Sequence, residues 1–462
     1  MVLMDAFGQP DLGGETREDV MASFQRLMGR IAALNESAPR PVPPAGPDDT
    51  WKTLMEAEKD ALVASLDPTG KAKGNEAATM LRAILTAYRE DKPQEFNGEL
   101  AAYQKLVQER ATAEAEHEQK LTDEGQASGR KPAERLVVDR LDFEAFYNNL
   151  DPFVLCIVFY IAAFVLAALA WLGWAEGFNR AANWLLWLTF ALHTFGLVCR
   201  IYISGRPPIT NLYSSALFIG WAAVLFALLF EIIYRLGIGN LLAAVIGFPT
   251  MVIAYYLTFE HTGDTIGVMQ AVLDTNFWLA THVVCITLGY ATTLLAGALG
   301  MLTIVLGYLG GQLDADRRRQ LARMTYGTLC FAIFFSFIGT VLGGLWADDS
   351  WGRFWGWDPK ENGALMIVIW NAIVLHARWG KMIGERGVAS LAVLGNIVTA
   401  WSWFGVNEMG VGLHAYGFTE GRAFWLAMFM ISQLAIVALA YIVPALRRAV
   451  AGPPMPASSP TA

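Results

Sequence analysis

Long apolar runs constrain the fold of this chain more than any other feature of its sequence. They fill most of the chain after about residue 150, and each run is about twenty residues or longer. A helix with a rise of about 1.5 Å per residue needs about 20 residues to cross the hydrocarbon of a bilayer. The sequence therefore predicts an all-α fold, a polytopic transmembrane helix bundle of about 8–9 spans. Nine candidate spans lie at roughly residues 153–173, 182–202, 212–234, 239–258, 277–308, 326–346, 361–380, 388–406 and 422–446.

The first 150 residues differ from the rest because they are polar and carry most of the acidic side chains. They contain 18 Lys and Arg against 27 Asp and Glu, and the whole chain has a formal net charge of −8. An acidic segment argues against nucleic acid as a partner. Apolar residues at helical spacing predict amphipathic helices at Trp51–Ser65, Asn75–Tyr88 and Glu95–Glu118. We predict a polar, acidic, mostly helical soluble region at 1–150, a transmembrane domain at 151–448 and a disordered tail at 449–462.

Basic side chains predict the orientation of the spans. They cluster after the fifth, seventh and ninth spans, at Arg317, Arg318, Arg319 and Arg323, at Arg378, Lys381 and Arg386, and at Arg447 and Arg448. Under the positive-inside rule these clusters face the cytoplasm, so the loops 260–276, 346–361 and 405–422 face outward. Nine spans would also place the N-terminal region outside, although Met1–Val20 lacks the apolar core of a secretory signal. Either a further span lies upstream of this sequence or one of the first four predicted spans is wrong, and we favour the first explanation.

The segment 346–361, here called the tryptophan loop, is unusually aromatic. It contains Trp346, Trp351, Trp355 and Trp357, with Arg353, Asp358, Lys360 and Glu361 between and after them. Aromatics at this density, with interleaved glycines, form a rigid apolar surface that suits a large planar ligand better than a packed core. Arg353 and Lys360 are suited to pair with carboxylates of such a ligand. We expect Asp358 and Glu361 to orient the loop by hydrogen bonds, because the two alone would under-ligand a metal.

Histidine is scarce in this chain, and an ionisable residue at a membrane span is costly enough to suggest a function. His282 opens the fifth span and His414 lies in the outer loop after the eighth, so both are predicted on the side of the tryptophan loop. Two such histidines can supply both axial nitrogen ligands of a haem iron. His193 in the second span and His376 in the seventh would form a second, buried ligand pair. The alternative for this second pair is two unrelated histidines bonded to neighbouring helices.

The cysteines do not indicate redox or metal chemistry. Their positions, all inside apolar runs, are Cys156, Cys199, Cys285 and Cys330. The sequence contains neither a C-x-x-C pair nor C-x-x-C-H, so the chain is not itself a c-type cytochrome. We interpret these cysteines as small buried hydrophobes.

Four stretches together resemble the CcsA/ResC type of System II cytochrome c biogenesis proteins. The run Trp351–Glu361, continuing to Leu375-His376, resembles the WWD signature of haem-handling proteins. The other stretches are Gly205–Ser215, Thr281-His282 and Gly405–Gly417, and the whole resemblance covers about residues 150–446. This sequence departs from the family where Ser214-Ser215 replaces the usual Glu-Ser pair.

The resemblance implies a chain that binds haem b as substrate and transient ligand and presents it for thioether attachment to the CXXCH motif of apocytochrome c. It implies that His282 and His414 are external axial ligands and that His376 is a transmembrane ligand, with His193 a weaker choice as its partner. The implied setting is the bacterial cytoplasmic (inner) membrane, with the tryptophan loop on the periplasmic side. The implied partners are a CcsB/ResB-like subunit, apocytochrome c, thiol-reducing thioredoxin-like proteins and membrane lipid, within a cytochrome c synthase (haem lyase) complex.

Two other classes of function compete with this one. A transporter could export haem or a small solute without joining it to protein. A haem-bearing electron-transfer subunit is the second alternative, but such a subunit buries both ligand pairs within its bundle, whereas two of these histidines are predicted in or beside outer loops. A related WWD family of System I handles haem similarly, and the stretch Thr210–Tyr213 favours System II.

Overall fold

The computed structural model describes residues 40–45, 50–65, 75–123, 140–172, 174–260, 265–266, 269, 273–311, 313–411 and 422–451. The chain forms two compact units, Met1–Phe143 and Glu144–Ala462. The described part is helical and contains no β-strand beyond an isolated bridge between Val42 and Lys52. The predicted all-α class is therefore confirmed.

Within its described residues, the first unit contains three helices that precede the bundle: α1 (Leu54–Ser65), α2 (Glu76–Arg89) and α3 (Pro93–Asp123). They coincide with the three predicted amphipathic helices to within a few residues. Helix α2 begins after Asn75, whose side chain accepts a hydrogen bond from the Ala77 amide and so satisfies one of the free donors of the first turn. The small core of this unit consists of Val42, Ala57, Ala77 and Ala78.

The second unit is the helix bundle. Its helices are α4 (Leu141–Leu150), α5 (Pro152–Leu172), α6 (Ala175–Ser204), α7 (Leu212–Tyr234), α8 (Ile238–Glu260), α9 (Asn276–Leu309), α10 (Ala315–Trp351), α11 (Pro359–Trp379), α12 (Glu385–Glu408) and α13 (Arg422–Ala451). The most extensive contacts join α5 to α6, α7 to α8 and α9 to α10, so consecutive helices pack as antiparallel pairs. Helix α9 contains π-helical turns at Leu279–Val283 and Thr303–Leu309, and α12 contains one at Trp401–Gly405.

Eight helices in the described part are long and apolar enough to cross a membrane. Eight of the nine predicted spans coincide with them, and the multi-pass character of the chain is confirmed. The seventh predicted span, 361–380, corresponds to α11, which is 21 residues long but is not one of the eight. Its polar side chains Asn362, Asn371, His376 and Arg378 lower its apolar character. Helix α11 nevertheless packs within the bundle, against α10 and α12.

Candidate functional site

A cavity of about 200 Å³ lies at one end of the bundle. The first turns of α7, α9 and α11 and the last turns of α10 and α12 enclose it. Most of the predicted site residues of this region line it, and they are His282, Trp346, Trp351, Trp355 and Glu361. The fold thus brings a histidine, three tryptophans and a carboxylate from separate helices and one loop to a single, partly open cavity.

His282 lies in the π-helical turn Leu279–Val283 at the start of α9. Its Nδ1 is 2.7 Å from the carbonyl oxygen of Gly339 on α10. Because a carbonyl oxygen only accepts, Nδ1 carries the proton and the lone pair of the neutral ring lies on Nε2. Histidines that bind metals very often donate their other ring N–H to a backbone carbonyl in this way. The local geometry therefore fits an imidazole whose Nε2 binds a metal.

The tryptophans form the apolar wall of the cavity. Trp346 stacks on Trp278 with ring centroids 6.5 Å apart, and its ring meets the His282 ring at 5.6 Å in a T-shaped contact. The indole Nε1 atoms of Trp346 and Trp355 are buried without a hydrogen-bond partner among the described residues. A buried donor without a partner is uncommon in proteins and is often explained by a bound group. Trp357 does not line the cavity; it is 70% exposed, with its ring 6.0 Å from that of Trp355.

The last two carboxylates of the tryptophan loop, Asp358 and Glu361, cap helix α11. Asp358 is the N-cap residue, with an oxygen 2.9 Å from the Lys360 amide. Glu361 accepts from the amides of Gly356 at 2.8 Å and of Asp358 at 3.1 Å, and its other oxygen lies 3.5 Å from the Arg353 guanidinium. This reciprocal capping box fixes the end of the loop against the helix. No cluster of three or more metal-binding side chains occurs in the part of the chain that the structure describes.

Lys360 also lines the cavity and joins the loop to α12. Its ammonium group donates to the Trp403 carbonyl at 2.9 Å and to the Asn407 side-chain oxygen at 3.3 Å. The Trp403 indole in turn donates to Ser215 on α7 at 3.0 Å. Burial lowers the pKa of Lys360 to about 7, against an opposing contribution from the nearby Asp358 carboxylate. The cavity therefore contains a cationic group that loses its proton readily.

The segments before α7 and α9, which both contribute residues to the cavity, are joined by polar contacts, here called the rim. Arg206 binds Asp274 through two hydrogen bonds of 2.9 Å each, joining the segment before α7 to the segment before α9. Asn211 donates to the Thr265 carbonyl at 3.0 Å. Gly205–Ser215 is recognisable as a motif from the sequence, but the partners of Arg206 and Asn211 lie more than fifty residues away and leave no local signal.

The other predicted histidines lie elsewhere. His193 is fully buried between α5 and α7, with Nδ1 3.2 Å from the Tyr160 hydroxyl and Nε2 3.1 Å from the Leu217 carbonyl. His376 is exposed on α11, with Nδ1 2.8 Å from the Ala372 carbonyl and its ring beside Trp379. The ring contacts of His193 and of His376 are thus with different residues, and neither ring contacts the other among the described residues. His414 lies outside the described residues.

Comparison with known proteins gives a consistent set of matches. The family described as "Cytochrome C assembly protein" matches residues 209–414. Protein NrfI of Wolinella succinogenes is 34% identical over 236 residues, covering 50% of this chain and 25% of NrfI. Cytochrome c biogenesis protein CcsA of Synechococcus sp. (strain CC9902) is 30% identical over 299 residues, covering 58% of this chain and 98% of that protein. This chain therefore spans about a quarter of the length of NrfI and nearly all of CcsA.

A solved structure, "Cytochrome c Heme Lyase CcmF", is 19% identical with a TM-score of 0.43. The match covers 67% of this chain and 58% of that one. Nothing further follows from a likeness at this level.

Proposed function

We propose a haem-presenting function for this chain, which belongs to the CcsA family of cytochrome c biogenesis proteins. The membership follows from 30% identity over nearly the full length of a CcsA protein, and it assigns the chain a role in cytochrome c biogenesis. Haem handling is part of that role. The finer proposal is that haem b binds as substrate in the cavity at the end of the bundle and is passed from there to apocytochrome c.

The observation that carries this proposal is the meeting of His282 and the tryptophan wall in one cavity. Nε2 of His282 would bind the iron, since Nδ1 donates to Gly339. Trp346 and Trp355 would cover the macrocycle and exclude water from it. We propose His414 as the second axial ligand, because the chain leaves α12 at Glu408 on the same side of the bundle.

Attachment of haem to apocytochrome c consists of adding each cysteine thiol across a haem vinyl group. A carbon–sulfur bond forms, the thiol hydrogen goes to the terminal vinyl carbon, and no electrons are gained or lost overall. The contribution of this chain is orientation: it holds the haem in one position and keeps water from its face. The substrate cysteines must arrive reduced. The described cysteines of this chain are unpaired and lie on separate helices, so we propose that thioredoxin-like proteins supply the reducing step.

His376 supports a proposal about a partner subunit. It is exposed on α11, and its Nδ1 donates to Ala372, which leaves the lone pair of the ring on Nε2. A second histidine from a CcsB/ResB-like subunit could then complete a haem site on the outer surface of the bundle. This arrangement differs from the predicted pair with His193, whose two nitrogens contact Tyr160 and Leu217.

We propose that the cavity faces the periplasm from the cytoplasmic (inner) membrane of a bacterium. The basic side chains Arg317, Arg378 and Arg386 lie at or beyond the opposite ends of α10, α11 and α12 from the cavity. Such clusters mark the cytoplasmic side of membrane proteins. Apocytochrome c would meet the haem on the outer side.

Co-expression with an apocytochrome c tests this function. Covalent haem on the cytochrome, read by haem stain after denaturing electrophoresis, is expected with the wild type and with His117→Ala, an exposed histidine in the first unit. We expect His282→Ala to lose the product and added imidazole to restore part of it. Haem that co-purifies with the chain without any covalent product would instead favour an exporter.

A further inference from the structure

Helices α9 and α10 approach each other unusually closely near His282. A Cβ atom added to Gly339 would lie 2.6 Å from the backbone nitrogen of Ile286, and one added to Gly289 would lie 2.8 Å from that of Ser336. Separations this short leave no space for a side chain. Glycine at such positions allows two helix backbones to come together, as in membrane helix pairs generally. The α9–α10 contact is therefore set by glycines of both helices.

Gly343 has a different neighbour from the other glycines of this contact. A Cβ atom there would lie 2.6 Å from Cε1, 3.0 Å from Nδ1 and 3.3 Å from Nε2 of His282. All three of its nearest atoms thus belong to the imidazole ring. Gly339 and Gly343 are four residues apart, so they lie on one face of α10. Gly339 supplies the carbonyl oxygen that accepts the hydrogen bond from Nδ1–H of His282, and Gly343 supplies the space that the imidazole ring occupies.

We propose that Gly339 and Gly343 form a seat for the His282 imidazole and act as positioning residues for haem. The seat fixes the plane of the ring through contact with Gly343 and its tautomer through the carbonyl of Gly339. The inference rests on the proposed function, because it concerns the ligand nitrogen of that function. It adds that residue 343 of α10, which lines the cavity but has no side chain to bind the iron, determines through the His282 ring how firmly the iron is held.

The carbonyl has a chemical consequence as well as a geometric one. A hydrogen bond from Nδ1–H to an acceptor makes the imidazole a stronger base and orients its other nitrogen. Loss of such a supporting contact typically lowers metal affinity by about 10- to 100-fold. A displaced ring would lose both the hydrogen bond and its alignment with the iron. We therefore expect a change at Gly343 to alter the affinity for haem and the absorption spectrum together.

The matched variants are Gly343→Ala and Gly327→Ala, two changes of the same kind on the same helix. A Cβ atom at Gly327 has no neighbour within 4 Å, so this variant controls for the general effect of alanine on α10. Haem per polypeptide and the oxidised and reduced spectra are measured on the purified full-length chain. We expect Gly343→Ala to lose about tenfold in haem affinity with a shifted spectrum, and Gly327→Ala to match the wild type.

A double variant keeps the test decisive if Gly343→Ala folds poorly. His282→Ala removes the ring that the new Cβ atom would contact, so the double variant His282→Ala/Gly343→Ala should be as stable as His282→Ala alone. Imidazole is then titrated into His282→Ala and into the double variant. The alanine at 343 should raise the imidazole concentration for half-maximal haem binding several-fold, because exogenous imidazole would occupy the same seat.

Three outcomes would overturn the proposal. Equal haem affinity and spectra in Gly343→Ala and Gly327→Ala, with equal imidazole midpoints, would show that Gly343 does not position the His282 ring. The proposed haem function would stand. Loss of haem in Gly327→Ala to the same extent would assign the effect to helix α10 in general. A wild type without haem, or a His282→Ala variant with all of its haem, would overturn the proposed function and the seat together.

Discussion

Two histidines of the bundle, His193 and His282, have opposite surroundings. His193 is fully buried, and its two nitrogens contact the Tyr160 hydroxyl and the Leu217 carbonyl. His282 contacts a carbonyl through Nδ1 and lines a cavity together with tryptophans. Both residues are polar groups in apolar helices, and both were candidates for iron ligation from the sequence.

The difference shows what separates a structural histidine from a candidate ligand in a membrane protein. Burying an imidazole is tolerated when its N–H and its lone pair both find partners. The region around His193 meets that requirement within the bundle, so its histidine stabilises the packing of α5, α6 and α7. The region around His282 instead combines one oriented nitrogen with space for a ligand. The cavity beside the ring, and not the rarity of histidine, distinguishes the region of His282 from that of His193.

The largest expected effect concerns the tryptophan loop on the His282 side. Glu361→Ala removes the acceptor of the Gly356 and Asp358 amides, and hydrogen bonds to a charged group contribute about 1.5–3 kcal/mol each. We expect haem retention to fall by about tenfold or more. Glu361→Gln, which keeps an acceptor oxygen, should fall between this variant and the wild type. Haem per polypeptide measures both, and unchanged retention in Glu361→Ala would show that the loop does not support the site.

His193→Ala tests the structural role of the other histidine. It leaves the Leu217 carbonyl and the Tyr160 hydroxyl buried without their partner, at a cost of about 1–3 kcal/mol for each group. We expect the melting temperature in detergent to fall by several degrees and the haem spectrum to stay unchanged. Tyr160→Phe removes only one contact and should have a smaller effect on melting. A changed haem spectrum in His193→Ala would contradict the purely structural role of His193.

We expect the loss of a rim contact to have a moderate effect, which is confined to the release of haem from the cavity. Arg206→Ala opens the paired contact with Asp274, and partly exposed ion pairs contribute about 1 kcal/mol or less. We expect haem to dissociate about two- to fivefold faster, read as transfer to an excess of apomyoglobin. The charge-swapped variant Arg206→Asp/Asp274→Arg should recover much of the wild-type rate. Equal rates in all three proteins would show that the rim does not limit the exit of haem.

The buried Lys360 should make the stability of the folded chain depend on pH. Its pKa is about 7 in the folded chain against 10.5 for an ordinary lysine, so the unfolded chain binds more protons between these values. The free energy of unfolding should therefore rise with pH across this window and stay level below it, where the lysine is protonated in both states. Lys360→Met lacks this contribution, so the melting temperature of the wild type relative to Lys360→Met should rise between pH 7 and pH 10. A constant difference would contradict the lowered pKa.

Much of the fold follows from local sequence. Eight spans follow from the length of the apolar runs, and Asp358-Pro-Lys-Glu361 is a capping-box pattern with proline at the first helical position. The density of tryptophan predicted an apolar surface, and three of those tryptophans line the cavity. Whether α11 crosses the membrane was harder to predict, because its asparagines, histidine and arginine lower its apolar character without ending the helix.

The parts of the site that escaped prediction depend on contacts between residues far apart in the chain. Lys360 meets Trp403 across 43 residues, and His282 meets Gly339 across 57. Local periodicity cannot indicate which carbonyl faces an imidazole. The expected pairing of His193 with His376 rested on span positions alone, which do not reveal that Tyr160 and Leu217 occupy the ring nitrogens of His193.

The most direct test of this account is the haem content and absorption spectrum of three purified proteins: the wild type, His282→Ala and His193→Ala. We expect His282→Ala to lose most of its haem or to shift its spectrum, with recovery in added imidazole. We expect His193→Ala to keep the wild-type haem content and spectrum while melting at a lower temperature. Loss of haem from His193→Ala with an unchanged His282→Ala would contradict the assignment of the haem site to the cavity.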